Sequence, residues 1–126
     1  MKTYRITYMD STGSTTIYEN FGGLASLMNW TLSMAADRAK GDFYVENVKE
    51  LGEGRVDQVL KTLEETLDDL EDELDTVEYT LEQLRRMSES KGRTGYYKYK
   101  QDEAKTLNKT IKQLQQDIAG IKAQEA

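Results

Sequence analysis

Apolar residues at Val56, Leu60, Leu63, Leu67, Leu70, Leu74, Val77, Leu81 and Leu84 recur at alternating intervals of four and three. A helix with this repeat carries one continuous apolar seam that water cannot be left to cover. A second series at Tyr97, Ala104, Leu107, Ile111, Leu114, Ile118 and Ile121 keeps the same rhythm and skips only Lys100. The chain contains no proline to interrupt either helix. Two long helices that cover each other's seams are therefore the first expectation.

Pairing a and d positions in antiparallel layers gives Leu84 with Ala104, Leu81 with Leu107, Val77 with Ile111, Leu74 with Leu114, Leu70 with Ile118 and Leu67 with Ile121. That register centres on Thr94, inside the glycine-containing run Lys91-Gly92-Arg93-Thr94-Gly95, which reads as the turn. The predicted helices cover about 55–90 and 96–124, with the turn near 91–95. A register shifted by one heptad, centred near Ser90, also produces a–d layers but leaves the glycines unused. Charge favours an intramolecular pairing. Residues 55–90 carry 4 basic and 12 acidic residues, and residues 91–126 carry 8 basic and 4 acidic. Two copies of the first helix would repel each other, whereas the two different helices attract.

The N-terminal part follows other periods. Tyr4, Ile6 and Tyr8 alternate with Thr3, Arg5, Thr7 and Met9, which predicts a strand, and Asp10-Ser11-Thr12-Gly13-Ser14 supplies turn chemistry before a second strand over Thr15–Tyr18. A hairpin placing Ile6 across from Ile17 and Tyr8 across from Thr15 follows. Leu24, Leu27, Met28, Thr31, Met34 and Ala35 then define the inner face of an amphipathic helix, with Gly41 as its cap. The run Phe43–Val48 reads as a third strand. Phe43 and Val45 fall on one face and Val48 on the other, so the strand is either buried on both sides or bulged near Glu46. The fold class is α+β, with a β-β-α-β head at 1–54 and an antiparallel two-helix coiled-coil hairpin at 55–126. Trp30, Tyr4, Tyr8, Phe21, Phe43 and Tyr44 are expected to fill the core of the head.

The composition narrows the chemistry. Neither cysteine nor histidine is present, so disulfides, the common zinc sites and the usual nucleophile–base pairs are outside the reach of this chain alone. No glycine-rich phosphate loop or calcium-loop spacing occurs, and the expectation is a non-catalytic protein with no cofactor and no metal. No apolar run is long enough to span a bilayer, which points to a cytoplasmic protein without a membrane partner. A head of about 54 residues is marginal alone, so self-association through its sheet edges or through paired hairpins is expected.

Two surfaces are candidates for binding. Glu64, Glu65, Asp68, Asp69, Glu71, Asp72, Glu73, Asp75, Glu78 and Glu82 follow one another with no intervening lysine or arginine. They form either a solvated face, partly neutralised by the second helix, or an imitation of a phosphate ladder that occupies a basic groove. Near the expected turn, Lys91, Arg93, Lys98 and Lys100 are interleaved with Tyr96, Tyr97 and Tyr99. That mixture suits phosphates or bases, and equally suits a folded hairpin end whose cations stay in water. The net charge of −6 weighs against direct nucleic-acid binding.

The opening Lys2-Thr3-Tyr4-Arg5-Ile6-Thr7-Tyr8-Met9-Asp10, joined to a small head and an acidic coiled coil, resembles the general style of small bacteriophage accessory proteins, including anti-CRISPR and other anti-defence inhibitors. The resemblance implies a binder that blocks a larger protein or protein–nucleic acid complex, such as a bacterial defence nuclease, and assigns no residue a role. Two alternatives come from the sequence itself, a structural module that oligomerises through its heptads and a sponge for a phosphorylated small ligand or nucleotide.

Overall fold

The computed structural model describes residues 1–37, 43–87 and 91–125. The element order is β1 (Lys2–Asp10), β2 (Gly13–Phe21), α1 (Leu24–Asp37), β3 (Tyr44–Glu53), α2 (Val56–Arg86) and α3 (Lys91–Glu125). The class is α+β, a three-stranded antiparallel sheet with three helices, of which α2 and α3 are long and pack together. Two compact units divide the chain. The first comprises Met1–Thr62 with Ile118–Ala126, and the second Leu63–Asp117.

In the first unit the sheet order is β2-β1-β3. The hairpin pairs Ile6 with Ile17 and Tyr8 with Thr15, in the register that the alternation predicts. Its loop is tight. Asp10 pairs with Gly13, and the Asp10 Oδ1 accepts the Thr12 backbone N–H at 2.9 Å and its hydroxyl at 2.6 Å. Gly13 turns the chain back at φ 114°, a conformation that a Cβ would oppose. Strand β3 pairs with β1 and is irregular in two places, between Thr3 and Tyr4 and between Thr7 and Tyr8. The second irregularity leaves Glu46 without a Cα partner. It returns Val45 and Val48 to one face, opposite Tyr8 and Ile6, which resolves the conflict in their spacing.

One sheet face carries the aromatic core. Tyr4, Ile6, Tyr8 and Leu27 are buried together, with Ile17, Phe21, Trp30, Phe43 and Val45 packed against them. The rings meet at tilted or edge-on angles, with Tyr8–Phe43 at 5.3 Å and Phe21–Trp30 at 5.9 Å between centroids. Helix α1 supplies Leu27 and Trp30 to this cluster. Its apolar face is rotated from the expected one, because Leu24 and Met28, assigned to the interior by their spacing, point to solvent. Gly41 lies outside the described residues.

The opposite face is met by the ends of α2 and α3 that belong to this unit. Val59 is buried with its methyls against the Gly52 backbone, and Gly120 lies under the ring of Tyr18. Beside that contact, the Gln124 side chain brackets the backbone of β2. Its Oε1 accepts the Tyr18 N–H at 2.9 Å and its Nε2 donates to the Tyr18 carbonyl at 2.6 Å. One glutamine thus takes the place of a neighbouring strand at the outer edge of β2, which would otherwise offer unpaired backbone groups to other chains. Replacing Gln124 by leucine keeps the bulk and removes both bonds. Urea denaturation should report a loss of about 1–2 kcal/mol for this variant.

In the second unit, Val77, Ala104 and Leu107 are buried as a cluster, with Leu70, Leu74 and Leu81 packed against it. Leu63, Leu84 and Ile111 are also buried, while Leu67 and Leu114 are half-buried. The register differs from the one centred on Thr94. Val77 shares its cluster with Ala104 and Leu107, and Arg85 is hydrogen-bonded to Tyr97, which matches the register centred near Ser90. The expected turn at 91–95 is helical, since α2 ends at Arg86 and α3 begins at Lys91. Gly92 and Gly95 sit in the opening turns of α3, where the tertiary pairing overrides their weak helix propensity.

Candidate functional site

The acidic stretch occupies the solvent side of α2. Glu64, Glu65, Asp68, Asp69, Glu71, Asp72, Glu73, Asp75 and Glu78 are exposed, because the seam residues between them claim the inner face of the helix. Glu82 is half-buried and engaged, with Arg85 at 3.5 Å and Arg86 at 3.2 Å along the same helix. Among the described residues, Glu65, Asp68, Asp69, Glu71, Asp72, Glu73, Asp75 and Glu78 form no ion pair. None of these eight carboxylates has a described cation of α3 within ion-pair distance. The lysines of α3 at 105, 109 and 112 are themselves exposed.

Residues near the start of α3 are brought together, but largely with one another. Tyr96 and Tyr99, one helical turn apart, stack at 6.4 Å with their planes 16° apart. The Lys100 Nζ sits 5.6 Å and 5.8 Å from the two ring centroids and 3.0 Å from the Glu103 carboxylate. The hydrogen bond to Glu103 holds the Lys100 ammonium above the ordinary lysine range, and the tyrosine rings add to it. Tyr97 turns to α2 instead, where it accepts a hydrogen bond from Arg85. That bond, with the Glu82 carboxylate behind it, raises the guanidinium above its usual range. Lys98 is exposed. The side chain of Arg93 lies outside the described residues.

Comparison with protein families, with curated proteins and with solved structures finds no match. The geometry alone must carry the functional reading.

A shallow hollow of about 420 Å³ lies beside Leu107 and Tyr99, edged by Glu73, Asp102, Glu103 and Thr106. It has an apolar floor and acidic sides. Among the described residues no three acidic side chains converge as they would around a metal ion, and no helix is long and apolar enough to cross a membrane.

Two features of the first unit were missed by sequence reasoning. The first is a hydrogen-bonded knot at the start of α2. The Asn20 Nδ2 donates to the Thr3 hydroxyl at 2.8 Å, the Gly54 carbonyl at 2.9 Å and the Lys2 carbonyl at 3.3 Å, while its Oδ1 accepts the Val56 N–H at 3.1 Å. Thr3, fully buried, also donates to the Gly54 carbonyl. The Arg55 N–H is taken by Gln58 Oε1 at 3.0 Å, half of a capping box, and the Gly54 N–H by the Met1 carbonyl at 2.8 Å. The one available signal was Gln58 three residues after Arg55. The second feature is the outer side of α1, where Leu24, Met28 and Leu32 are exposed in a row.

Proposed function

We propose that this chain is a non-catalytic binding protein whose α2 helix presents a ladder of negative charge to a basic surface on a larger macromolecule. The observation that carries this reading is the run of eight exposed, unpaired carboxylates from Glu65 to Glu78. At 1.5 Å rise per residue they occupy about 20 Å of helix, roughly one charge every 3 Å, close to the phosphate spacing of about 3.4 Å along one DNA strand. A groove built to hold a nucleic-acid backbone would accept such a helix by the same counterion-releasing electrostatics. A rigid helix also loses little conformational entropy on docking. An inhibitor that occupies the nucleic-acid groove of a bacterial nuclease is the most specific form of this reading.

The start of α3 supports a phosphate-binding role less well. Lys100 is already committed to Glu103 and two tyrosine rings, and Tyr97 to Arg85.

The test is competitive capture. Protein immobilised through its N-terminus should retain a nucleic-acid-binding protein from bacterial lysate and release it to excess duplex DNA or to raised salt. Asp68→Asn, Asp72→Asn and Asp75→Asn combined should weaken that retention by at least about tenfold, while leaving the circular dichroism spectrum unchanged. Retention that survives both the triple variant and the DNA competitor would remove this reading.

A second reading is favoured by one specific observation. Leu67, Leu70, Leu74, Leu81 and Leu114 remain half-buried although they lie on the seams, as in an antiparallel coiled coil that pairs with further helices in an assembly. In that case Leu70→Asp abolishes function and the three asparagine substitutions leave it intact.

A further inference from the structure

Helix α1 carries no charged residue from Leu24 to Ala36, in a chain where 32% of residues are charged. Its inner side is accounted for by Leu27 and Trp30 in the aromatic core. Its outer side carries a row of large apolar side chains among small and neutral polar ones. Leu24, Met28 and Leu32, spaced i, i+4, i+8, are 68%, 64% and 66% exposed and form a single ridge along the helix. A row of large exposed apolar side chains on a helix without charge marks a surface that meets another molecule. Ala25, Ser26, Asn29, Ser33 and Ala36 beside the ridge are exposed, small or neutral, so another helix can approach closely.

Independently of the reading of α2, we propose that this ridge is the contact of a two-fold symmetric dimer in which α1 packs antiparallel on α1 of a second copy. The order of the ridge argues for this occupant. Leu-Met-Leu is a palindrome, so a two-fold axis through Met28 sets Leu24 against Leu32 of the other copy, Met28 against its own counterpart, and Leu32 against Leu24. An isologous interface requires this self-complementarity, and residues at i±4 positions form the ridges by which helices interdigitate. Charge points the same way. Two copies of a protein with net charge −6 repel over most of their surfaces, and α2 concentrates that repulsion. The uncharged stretch of α1 from Leu24 to Ala36 is a helical surface on which they meet without it. The methionine on the axis suits the site, since its flexible side chain can pack against a copy of itself. Three ridge residues per copy are a small contact against the roughly 800 Å² per partner of a standard interface, so the dimer dissociates on dilution.

Sedimentation velocity across a concentration series should give a monomer–dimer equilibrium for the wild-type chain. Met28→Glu and Met28→Lys should each be monomeric throughout, because each sets like charges together on the axis. Their equimolar mixture should dimerise again. Both substitutions are on an exposed side chain, and an unchanged circular dichroism spectrum confirms that each variant folds. The absence of native cysteine gives an independent readout. Met28→Cys should form a disulfide-linked dimer under mild oxidation, while Tyr79→Cys, equally exposed on α2, should not. A wild-type chain that stays monomeric at every concentration overturns the proposal. So does a dimer that tolerates Met28→Glu, or a mixture of the two charge variants that remains monomeric.

Discussion

Asn20→Ala should lower the stability of the folded chain by about 2–4 kcal/mol, although it removes only an amide on an outer strand. Four hydrogen bonds end on that amide, two to β1 and two to the turn from β3 into α2. The Val56 N–H is one of the donors that a helix start leaves without an internal partner, and loss of a side-chain cap alone costs about 0.5–2 kcal/mol. The Gly54 carbonyl and the buried Thr3 hydroxyl lose a donor in a place that water reaches poorly, which adds about 1–3 kcal/mol for imperfectly satisfied polar groups. Gly54, at φ 103°, is the residue on which the chain leaves β3 for α2, so the knot also fixes the direction of that exit. Asn20→Asp should not restore the loss. It keeps an acceptor for Val56, but it turns a second acceptor toward the Gly54 carbonyl, where the amide had donated. Urea denaturation followed by fluorescence of Trp30, the single tryptophan and a member of the aromatic core, measures both variants. A midpoint for Asn20→Ala within about 0.5 kcal/mol of wild type would show that the knot contributes nothing net.

The knot also marks where sequence reading stops. Periodicity located what repeats. Tyr4, Ile6 and Tyr8 announce a half-buried strand by alternation, and the mismatch between Val45 and Val48 allows a doubly buried strand or a bulge, of which the pairing of β3 contains the second. The leucines of α2 announce a seam. What periodicity cannot reach is a single polar side chain that spans from one element to another distant in sequence. Asn20 and Val56 are 36 residues apart, and Tyr18 and Gln124 are 106 apart. Neither pair has a local signature. Val59 has no signature for a related reason, since it lies between the heptad positions and packs against Gly52 of the sheet. Of the two registers that satisfy the seams, the glycines point to the one centred on Thr94, yet a glycine signals a turn only on average. Gly92 and Gly95 read as turn formers, whereas the seam residues determine the layers, and a shift of one heptad satisfies the seam while drawing both glycines into α3. In α1 the fault was different. With no charge to mark an outer face, the spacing of Leu24, Leu27 and Met28 fits several rotations of the helix, and the aromatic core selects the one that buries Leu27 and Trp30. The acidic candidates of α2 were legible as exposed, because the seam leaves them no other place. That the eight from Glu65 to Glu78 form no ion pair among the described residues was not, since net charge per helix says which helices attract and not which side chains touch.

Gly120→Ala offers the second large effect, and its sign runs against propensity. Alanine in place of glycine inside a helix ordinarily stabilises by about 0.8–1 kcal/mol. Here a Cβ at position 120 would stand 2.6 Å from Tyr18 Cε2, 2.9 Å from its Oη and 3.1 Å from its Cζ. The ring has nowhere to go. Tyr18 is only 4% exposed, and the two hydrogen bonds between its backbone and Gln124 hold β2 and α3 at this separation. Relief requires an off-rotamer ring or a shift of the helix, so the substitution should destabilise by about 1–3 kcal/mol, as overpacking of a well-filled interior does. Combining it with Tyr18→Val removes the ring and keeps a residue suited to a strand. On that background the same Gly120→Ala change should become neutral or stabilising, which gives a coupling energy of about 2–3 kcal/mol between the two positions. The inversion distinguishes close packing from a general intolerance of α3 to substitution. If Gly120→Ala stabilises the wild-type chain as an exposed helical site would, the approach of Tyr18 to α3 does not exist in solution, and the bracketing of β2 by Gln124 loses its support with it.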